Sequence, residues 1–590
     1  MSGTDTETTK LRRNLLRTRV IAWVLIAALG VLVYLLIDGD GSLPGASVTR
    51  QETPWEPVAG FELRSLVLAE RDAALAKGDL AEAAAIHGRL AQEAELRAKA
   101  VMDAWMDRRH PETGLFPQAM DKPFWNYRNT AADFYGFMLH AALAFGDAEA
   151  LALLRETMAK ESALAGAGEL CQPVDYDTGR PIREDHDERM FASTEYVKDG
   201  LISVVERTND PATYTRMIAV IDAISANLQH PSPGGMLPST RSEPNGNMLQ
   251  VWSRLAYREP EKPYAELSAR LADAVVTQML PANRGLPAHY FDYDNGRVLE
   301  AKAMLRDHGN ELPVGLAEAY ALAVSRLADP AWEERAQRWA EPIAAMFELI
   351  LTHGVNDDGL LGNTLDPATR ELTDPRPSDN WGYVFCGVLL FAESARTHGV
   401  IASGRLDAML ERVDAVCAAV ARTNGTSWQG ANFDGYADSI ESALYLAKHR
   451  PATAAALLPW VDAQIDLMFQ AQRGDGFVGG QYLDGNFIRT SLMYADHRRG
   501  GWRLEPWAPG ISVGYAEDPA MGEAVLHVAS SDGYAGRLVA DRPRHAEFLG
   551  LPWDWPRLNS WPEWSVGGEA IALDLAAGES QVIALGSVTQ

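Results

Sequence analysis

The feature that most constrains this chain is a two-helix unit that recurs along most of its length. In each unit a loop rich in Gly, Pro, Asp and aromatic residues leads into a helix that starts polar and turns apolar. A second, amphipathic helix follows. The first helices begin near Tyr127, Thr194, Asn245, His308, Asp379, Tyr436 and Asn486. Because apolar residues recur three and four positions apart, the pattern predicts helical hairpins.

Consecutive helical hairpins can be arranged in two ways. An open solenoid shows close self-similarity in repeat length and sequence. The units here are uneven, and long aromatic loops precede the first helices. This favours a closed double ring, with the first helices inside and the second helices outside. Since loops on a rigid scaffold commonly carry function, we expect a concave site at one end of the inner helices.

Near Trp502 the helical period gives way to alternation, in AVLHVAS, GRLVA, EAIALDL and SQVIALG. A period of two, interrupted by Gly, Pro and Asp turns, predicts short antiparallel strands. The chain is also long enough to need more than one structural unit. We therefore expect a helical domain over residues 61–500 and a small antiparallel β-sandwich over residues 501–590.

Residues 20–37 read VIAWVLIAALGVLVYLLI, without charge or proline. A membrane-spanning helix needs about 20 apolar residues, so this stretch suffices. Arginines and a lysine precede it, and an acidic, Gly-rich segment follows. The positive flank predicts a cytoplasmic tail (1–19), an anchor (20–37), a linker (38–60) and a main domain that is periplasmic or extracellular. A cleaved signal peptide is the alternative.

The formal net charge is −27. Such an acidic surface disfavours nucleic acid and anionic lipid as partners. The three cysteines, Cys171, Cys386 and Cys417, are too few for a disulfide framework and fit buried small hydrophobes.

No cofactor fingerprint is present in the sequence. It contains no Walker A loop, no dinucleotide-binding glycine motif and no G-x-S-x-G elbow. Asp-rich turns at 175–177, 292–294 and 356–358 could hold structural Ca²⁺, but none has EF-hand spacing and ordinary turns explain them as well. We therefore expect no catalytic metal and no cofactor.

Uneven helical hairpins, inner helices that open with polar and aromatic residues, and a C-terminal β-sandwich together resemble the α/α toroid carbohydrate-active enzymes. These are glycoside hydrolases and polysaccharide lyases of the six-hairpin class. The resemblance is architectural and spans roughly residues 61–590. It implies a mainly α fold, with an (α/α)6-type toroid and a small antiparallel β-sandwich after one transmembrane helix. It also implies a saccharide lying across the inner-helix mouth, and it transfers no catalytic residue.

Sugar-binding sites combine aromatic faces for C–H groups with polar side chains for hydroxyls. The loops before the inner helices supply both kinds. Candidate substrate-binding residues are Trp125, Tyr127, Asn129, Asn310, Asn380, Trp381, Trp428, Tyr436 and Arg489. The alternative is that the aromatic residues close the end of a helical core.

Glycoside hydrolysis uses two carboxyl groups across the scissile bond. Candidates near the inner-helix starts are Asp133, Glu195, Glu311, Asp379, Asp438 and Glu441. Glu311 and Asp379 are the preferred pair, because His308 and two asparagines flank them. Glu195 and Asp438 come next, and His308 is a further catalytic candidate.

Each of these acids also fits a structural role. Thr130 with Asp133, and Asp438 with Glu441, match capping boxes, in which side chains satisfy free helix N–H groups. Asp379 matches a simple N-cap. Since the helix N-termini of a toroid converge, several caps at one mouth would still form an acidic site.

Three functions remain open on this sequence. The first is a membrane-anchored glycoside hydrolase acting on an extracytoplasmic poly- or oligosaccharide. The second is a polysaccharide lyase or uronate epimerase, which needs a base and a group that neutralises a uronate carboxylate. Tyr127 with Arg128 and Asn129, His308 with Asn310, Tyr436, and Arg489 could supply these groups. The third is a non-catalytic receptor for a glycan or protein. The acidic charge favours the first over the second, since lyase substrates are polyanions.

Overall fold

The computed structural model describes residues 64–166, 168–423, 433–518, 521–540 and 570–585. The predicted anchor at 20–37, its flanking tail and the linker lie outside these residues. Within them, no helix combines the length and apolar character needed to cross a bilayer.

Helices account for most of the described chain. In chain order they are α1 (Arg64–Ala76), α2 (Leu80–Met106), the π-helical segment π1 (Tyr127–Tyr135), α3 (Gly136–Ala144), α4 (Ala148–Ala165), α5 (His186–Glu195), π2 (Tyr196–Leu201), α6 (Ile202–Thr208), α7 (Pro211–Ala226), α8 (Ser242–Arg258), α9 (Tyr264–Ala274), π3 (Val275–Met279), α10 (Leu280–Ala282), α11 (Glu311–Val324), α12 (Pro330–His353), α13 (Trp381–His398), α14 (Ser403–Val420), α15 (Phe433–His449), α16 (Pro451–Gln470) and α17 (Asp484–Arg498).

The helices form two concentric layers. The inner layer runs from π1–α3 through α5–π2–α6, α8, α11, α13 and α15 to α17, which packs back against α3 and closes the ring. The helices α4, α7, α9, α12, α14 and α16 pack behind the inner helices that precede them. Helix α2 packs behind α17, so the first outer helix belongs to the last inner one. The predicted toroid is confirmed, and its described part has seven hairpins where the resemblance implied six.

Glycines let the inner helices approach closely. A Cβ on Gly246 of α8 would lie 2.5 Å from the backbone nitrogen of Leu312 in α11. Gly136 meets Gly200 in the same way, which brings π1–α3 against π2. The side chains at a contact set the distance between helix axes, so these glycines draw the helix starts together around the ring axis.

The two layers differ in their buried faces. Every residue of α11 is buried, as expected of a helix that is covered on all sides. Helix α12 buries Trp332, Ala336, Trp339 and Ile343 at helical spacing and exposes its other face. Outer helices α7 and α12 begin with an Asp N-cap followed by proline, which is a favourable helix start.

Short strands precede several inner helices, and longer ones form the C-terminal sandwich. They are β1 (Phe124–Trp125), β2 (Val174–Asp175), β3 (Tyr290–Asp292), β4 (Arg297–Glu300), β5 (Ala303–Met304), β6 (Gly362–Leu365), β7 (Leu372–Pro377), β8 (Trp502–Glu505), β9 (Ile511–Asp518), β10 (Glu523–Ser530), β11 (Tyr534–Ala540), β12 (Ala570–Leu575) and β13 (Ser580–Leu585). The sandwich has two antiparallel sheets, ordered β13-β10-β9 and β12-β11-β8.

The predicted alternation is visible in β10, which buries Ala524, Leu526 and Val528 on one face. Strand β9 packs against α2, where Gly514 lies directly on the backbone of Gly88. The sandwich and the helical ring belong to one compact unit, Val58–Gln590.

Candidate active site at the N-terminal end of the inner ring

A group of charged side chains lies in the inner helices, some in the first turn and others further along the helix, and in the loops that lead into these helices. They are Asp133, Glu195, Lys198, Asp199, Glu243, Asp307, Glu311, Asp438, Glu441 and Arg489. Neighbouring inner helices are parallel, as the contacts of Gly246 with Leu312 and of Gly315 with Leu249 show for α8 and α11. The helix N-termini therefore meet at one end of the ring, where their dipoles favour negative charge.

One group of these side chains is centred on Glu243. Its Oε2 lies 2.7 Å from Nδ1 of His308, and Nε2 of His308 lies 3.4 Å from the Asp307 carboxylate. The carboxyl groups of Glu243 and Glu195 are hydrogen-bonded to each other. Asn247 donates its side-chain N–H to Glu195. An imidazole and three carboxyl groups thus form one connected cluster.

His308 reaches this position with an unusual backbone. Its φ is +74°, in the left-handed region that non-glycine residues rarely adopt. The imidazole stands edge-on to the Phe191 ring, with a centroid separation of 5.9 Å, and its side chain remains 51% exposed. Strained backbone of this kind is concentrated at functional sites, where surrounding contacts maintain it.

Carboxyl groups in and beside this cluster have raised pKa values. Burial and the charge of Glu243 raise the pKa of Glu195 well above its usual value. Burial and the charge of Glu311 do the same for the pKa of Glu243. Burial raises the pKa of Glu311 to about 7, against the opposing charge of Lys198. Two carboxyl groups in hydrogen-bond contact cannot both be ionised without a large penalty, so they share a proton.

Lys198 is the cation nearest to this cluster. Its Nζ lies 2.8 Å from Asp199 and 5.4 Å from the centroid of the Tyr383 ring. Burial alone would lower the pKa of Lys198, but the charges of Asp199, Glu311 and Glu195 raise it above its ordinary value. The lysine is therefore a fixed positive charge inside the ring.

A second group surrounds Arg489 on α17. Its guanidinium lies 2.9 Å from the carboxylate of Asp438 and 3.1 Å from that of Glu441. The hydroxyl of Tyr383 donates a 3.4 Å hydrogen bond to Asp438. Both contacts favour the ionised form of Asp438, which is half-buried.

Asp133, on π1, belongs to the same side of the ring and is also half-buried. Burial and the charge of Asp199 raise its pKa well above the ordinary value, although Arg489 opposes them. The site thus holds one aspartate with a raised pKa, Asp133, and one paired with a guanidinium, Asp438. Carboxyl groups whose environments separate their protonation states are suited to divided acid and base roles.

The structure assigns different surroundings to the sequence-predicted catalytic residues. Glu195, Glu311 and His308 lie in the Glu243 cluster, and Asp438 lies in the Arg489 group. The carboxylate of Asp379 lies 4.0 Å from Arg306, and burial raises its pKa, with a further contribution from the charge of Asp307. The catalytic role of the preferred pair, Glu311 and Asp379, stays a prediction.

None of the three capping assignments is found in the structure. Asn126 caps π1 by accepting from the backbone N–H groups of Arg128 and Asn129, so Thr130 and Asp133 are not needed there. Helix α15 begins at Phe433, which places Asp438 inside the helix. The N-cap position of α13 is Asn380, without a side-chain cap hydrogen bond, and Asp379 accepts only from the backbone N–H of Asn380. Asp133 and Asp438 are therefore not explained by helix capping.

Three predicted substrate-binding aromatics are core residues. Trp125, Tyr127 and Trp381 are at most 1% exposed, which leaves no ring face for a sugar. The hydroxyl of Tyr127 donates to Glu161, and Trp125 packs edge-on against Tyr135. Burying a large apolar ring against neighbouring helices contributes more favourable free energy to folding than leaving the ring exposed at the mouth.

The predicted polar ligands of the substrate have several different roles. Asn129 is half-buried and accepts from Gln118. Asn380 is buried and accepts from the backbone N–H of Asp307. Asn310 is buried, and its amide has no hydrogen-bond partner among the described residues. Arg489 binds carboxylates of the protein itself, as shown above. Trp428 and the side chain of Tyr436 lie outside the described residues.

The sequence reasoning missed Glu243, Lys198, Asp199 and Tyr383. The sequence does contain an indication of the first three, since Lys198 and Asp199 follow Glu195 by three and four residues in an otherwise apolar helical segment. Glu243 similarly opens an inner helix. Polar residues within a helix that is buried on all sides require partners or function.

The Asp-rich turns form ordinary turn hydrogen bonds. Asp175 accepts from both the backbone N–H and the hydroxyl of Thr178, and Asp292 accepts from Asn295. Structural Ca²⁺ stays a prediction. The three cysteines are free and buried.

Comparison with known proteins gives matches at the level of structure. No protein-family model and no curated protein matches the chain. The α-1,6-mannanase GH76A of Salegentibacter sp. HEL1_6 matches with a TM-score of 0.37 and 12% identity, over 68% of this chain and 99% of that one. Cellobiose 2-epimerase from Spirochaeta thermophila matches with a TM-score of 0.36 and 14% identity, over 68% and 97%.

An unsaturated glucuronyl hydrolase from Bacillus sp. GL1 matches with a TM-score of 0.35 and 12% identity, over 63% of this chain and 97% of that one. All three are named as carbohydrate-active enzymes, and with TM-scores below 0.5 and identities of 12–14% the likeness assigns neither a family nor a function to this chain. The superpositions are too loose to transfer residue roles, which must follow from this chain's own geometry.

Proposed function

We propose that this protein is a glycoside hydrolase acting on a poly- or oligosaccharide, with Asp133 as general acid and Asp438 as base or nucleophile. One observation carries the proposal. Two half-buried aspartates share the N-terminal end of the inner ring, and their surroundings favour opposite protonation states.

Glycoside hydrolysis needs this division of roles. The leaving oxygen must receive a proton from a carboxylic acid, while a carboxylate activates water or attacks the sugar. Burial and the charge of Asp199 raise the pKa of Asp133, which favours the protonated form that a general acid needs. Arg489 and Tyr383 hold Asp438 in the ionised form that a base or nucleophile requires.

A saccharide is the substrate class that fits the surrounding chemistry. Carboxylates and amides at the mouth of the ring offer hydrogen bonds to hydroxyl groups. The toroid architecture resembles that of carbohydrate-active enzymes. The acidic charge of the chain favours a neutral glycan over a polyanion.

We further propose that residues 20–37 tether the catalytic domain to a membrane, with the domain on the periplasmic or extracellular side. The support is the uncharged apolar run and the positive segment before it. Cell fractionation should find the chain in the membrane fraction. Protease added to cells with a permeabilised outer envelope should digest the domain. Recovery of an N-terminally shortened chain in the soluble fraction would instead establish cleavage.

The activity test is incubation of the full-length chain with a glycan panel, with reducing ends and ultraviolet absorbance of unsaturated sugars measured together. New reducing ends without the absorbance are the expected result. Asp133→Asn and Asp438→Asn should each lower turnover by about 100-fold or more. Asp121→Asn, at an exposed aspartate, is the matched control.

The other outcomes are equally informative. Unsaturated products would assign the reaction to the lyase class, for which His308, oriented by Glu243, is the available base. Hydrolysis that is unchanged in both aspartate variants would refute the assigned roles. Binding without turnover across the panel would favour a glycan receptor.

A further inference from the structure

We propose that Glu243, Asp307 and His308 form a binding site for one divalent transition-metal cation of the Zn²⁺ or Mn²⁺ type. One donor atom from each residue lies within 4.8 Å of the donor atoms of the other two. Glu243 comes from the first turn of α8, and the other two residues come from the loop before α11. This proposal concerns cation binding and does not depend on the reaction proposed above.

The donor set indicates the class of metal. One imidazole nitrogen and two carboxylate oxygens suit Zn²⁺ or Mn²⁺, whereas Ca²⁺ prefers oxygen ligands only. Three protein ligands leave coordination positions for water or for hydroxyl groups of a ligand. The exposed side chain of His308 leaves the cluster accessible from the mouth of the ring.

A buried carboxylate beside the cluster provides a second, independent observation. Glu311 is 3% exposed, and its Oε2 has no hydrogen-bond partner among the described residues. Its charge acts on Glu243, and the charges of Asp307 and His308 act on it in turn. A buried carboxylate oxygen without a partner is costly, and a nearby cation or a water bound to that cation would satisfy it.

The charge balance points in the same direction. Glu195, Glu243 and Glu311 interact electrostatically with Lys198, whose ammonium already contacts Asp199. Asp307 adds a further negative charge beside His308. A divalent cation would offset this excess of negative charge.

The backbone also holds the candidate ligands in place. The left-handed conformation of His308 directs its imidazole between Glu243 and Asp307. Asn380 accepts a 3.1 Å hydrogen bond from the backbone N–H of Asp307, which ties the ligand loop to the start of α13. Such supporting contacts are typical of metal sites, whose ligands must be oriented before the ion arrives.

The test uses the full-length chain, stripped with a chelator, dialysed and titrated with ZnCl2 or MnCl2 by isothermal calorimetry. Bound metal is counted by elemental mass spectrometry. We expect one ion per chain. Asp307→Asn and His308→Asn should each weaken binding by about 10-fold or more. Asparagine tolerates the left-handed backbone at position 308, so this variant removes the imidazole without adding strain.

A matched control is available on the same molecule. Asp187 contacts His186 at 3.4 Å and His230 at 3.1 Å, so Asp187→Asn alters a different group of acid and histidine side chains. This variant should bind metal as the wild type does. Absence of binding to the wild type would overturn the proposal, as would loss of binding in Asp187→Asn with retention in the other two variants. Since no sugar is present, either failure is separate from a failure of the proposed hydrolase activity.

Discussion

Replacing Asp133 by asparagine should stabilise this protein while it removes activity. The change keeps the size and shape of the side chain and deletes its ability to ionise. Burial and the charge of Asp199 raise the pKa of Asp133 in the folded chain, so folding takes up a proton at pH values between the ordinary pKa and the raised one. Asparagine avoids that proton uptake, and the free energy of unfolding should therefore rise.

The magnitude follows from proton linkage. An aspartate in the unfolded chain titrates near pH 3.9, and each pH unit above this at which the folded protein keeps the proton costs about 1.4 kcal/mol. If Asp133 is fully protonated at pH 7, the cost is about 4 kcal/mol, which is the ceiling on the gain from asparagine. The gain should vanish below about pH 3, where both states are protonated. It should then grow with pH until the folded-state pKa is passed.

The assay is urea denaturation of the wild type and Asp133→Asn at pH 5 and pH 7. The difference in unfolding free energy should increase between the two pH values by up to about 2.7 kcal/mol. Asp121→Asn, on the exposed surface, should show no such pH dependence. A gain that is equal at both pH values, or a loss of stability at pH 7, would refute the reasoning. Increased stability with lost turnover is the trade-off expected at an active site.

Two further predictions concern the scaffold. Gly514→Ala should destabilise the fold by about 1–3 kcal/mol in urea denaturation, because the new methyl group would overlap the carbonyl oxygen of Ala84. Gly404→Ala, which meets open space, should not, and equal effects would contradict the proposed packing. Asp462→Asn should cost about 3–5 kcal/mol, because it leaves buried guanidinium groups, including that of Arg498, without their carboxylate. These cations lower the pKa of Asp462, so its contribution to the free energy of unfolding should be complete above about pH 4 and be lost as the pH falls. If the wild type remains more stable than the variant in acid, this explanation is wrong.

Local pattern was enough to predict the architecture. The spacing of apolar residues in the inner helices and their alternation near Trp502 follow from which faces of each helix or strand are buried. This spacing can be read directly from the sequence. Closure of the ring was only partly predictable. Seven inner-helix starts were visible in the sequence, whereas the resemblance implied six hairpins. The last hairpin pairs α17 with α2, and this contact between the two ends of the helical region is not visible in the local pattern.

The same limit applies to the site residues. Trp125 and Trp381 lie in sequence segments whose composition resembles that of sugar-binding loops, but both are buried. Whether an aromatic ring faces a core or a mouth depends on the helices packed around it. Glu243 was missed for a related reason, since its importance comes from contacts with Glu195 and His308, which are distant in sequence.

The sequence alone determined that acidic side chains would collect at one end of an apolar helical ring, because helix starts, periodicity and composition are local properties. Only the tertiary structure decided which acids meet. The π-helical segments carry Asp133 and Lys198, and the close glycine contacts draw their helices together. The pKa of each acid then depends on burial and on neighbouring charges, so the pKa of Asp133 is raised whereas Asp438 is paired with Arg489. Long-range packing therefore fixes the chemistry of residues whose positions the sequence had already indicated.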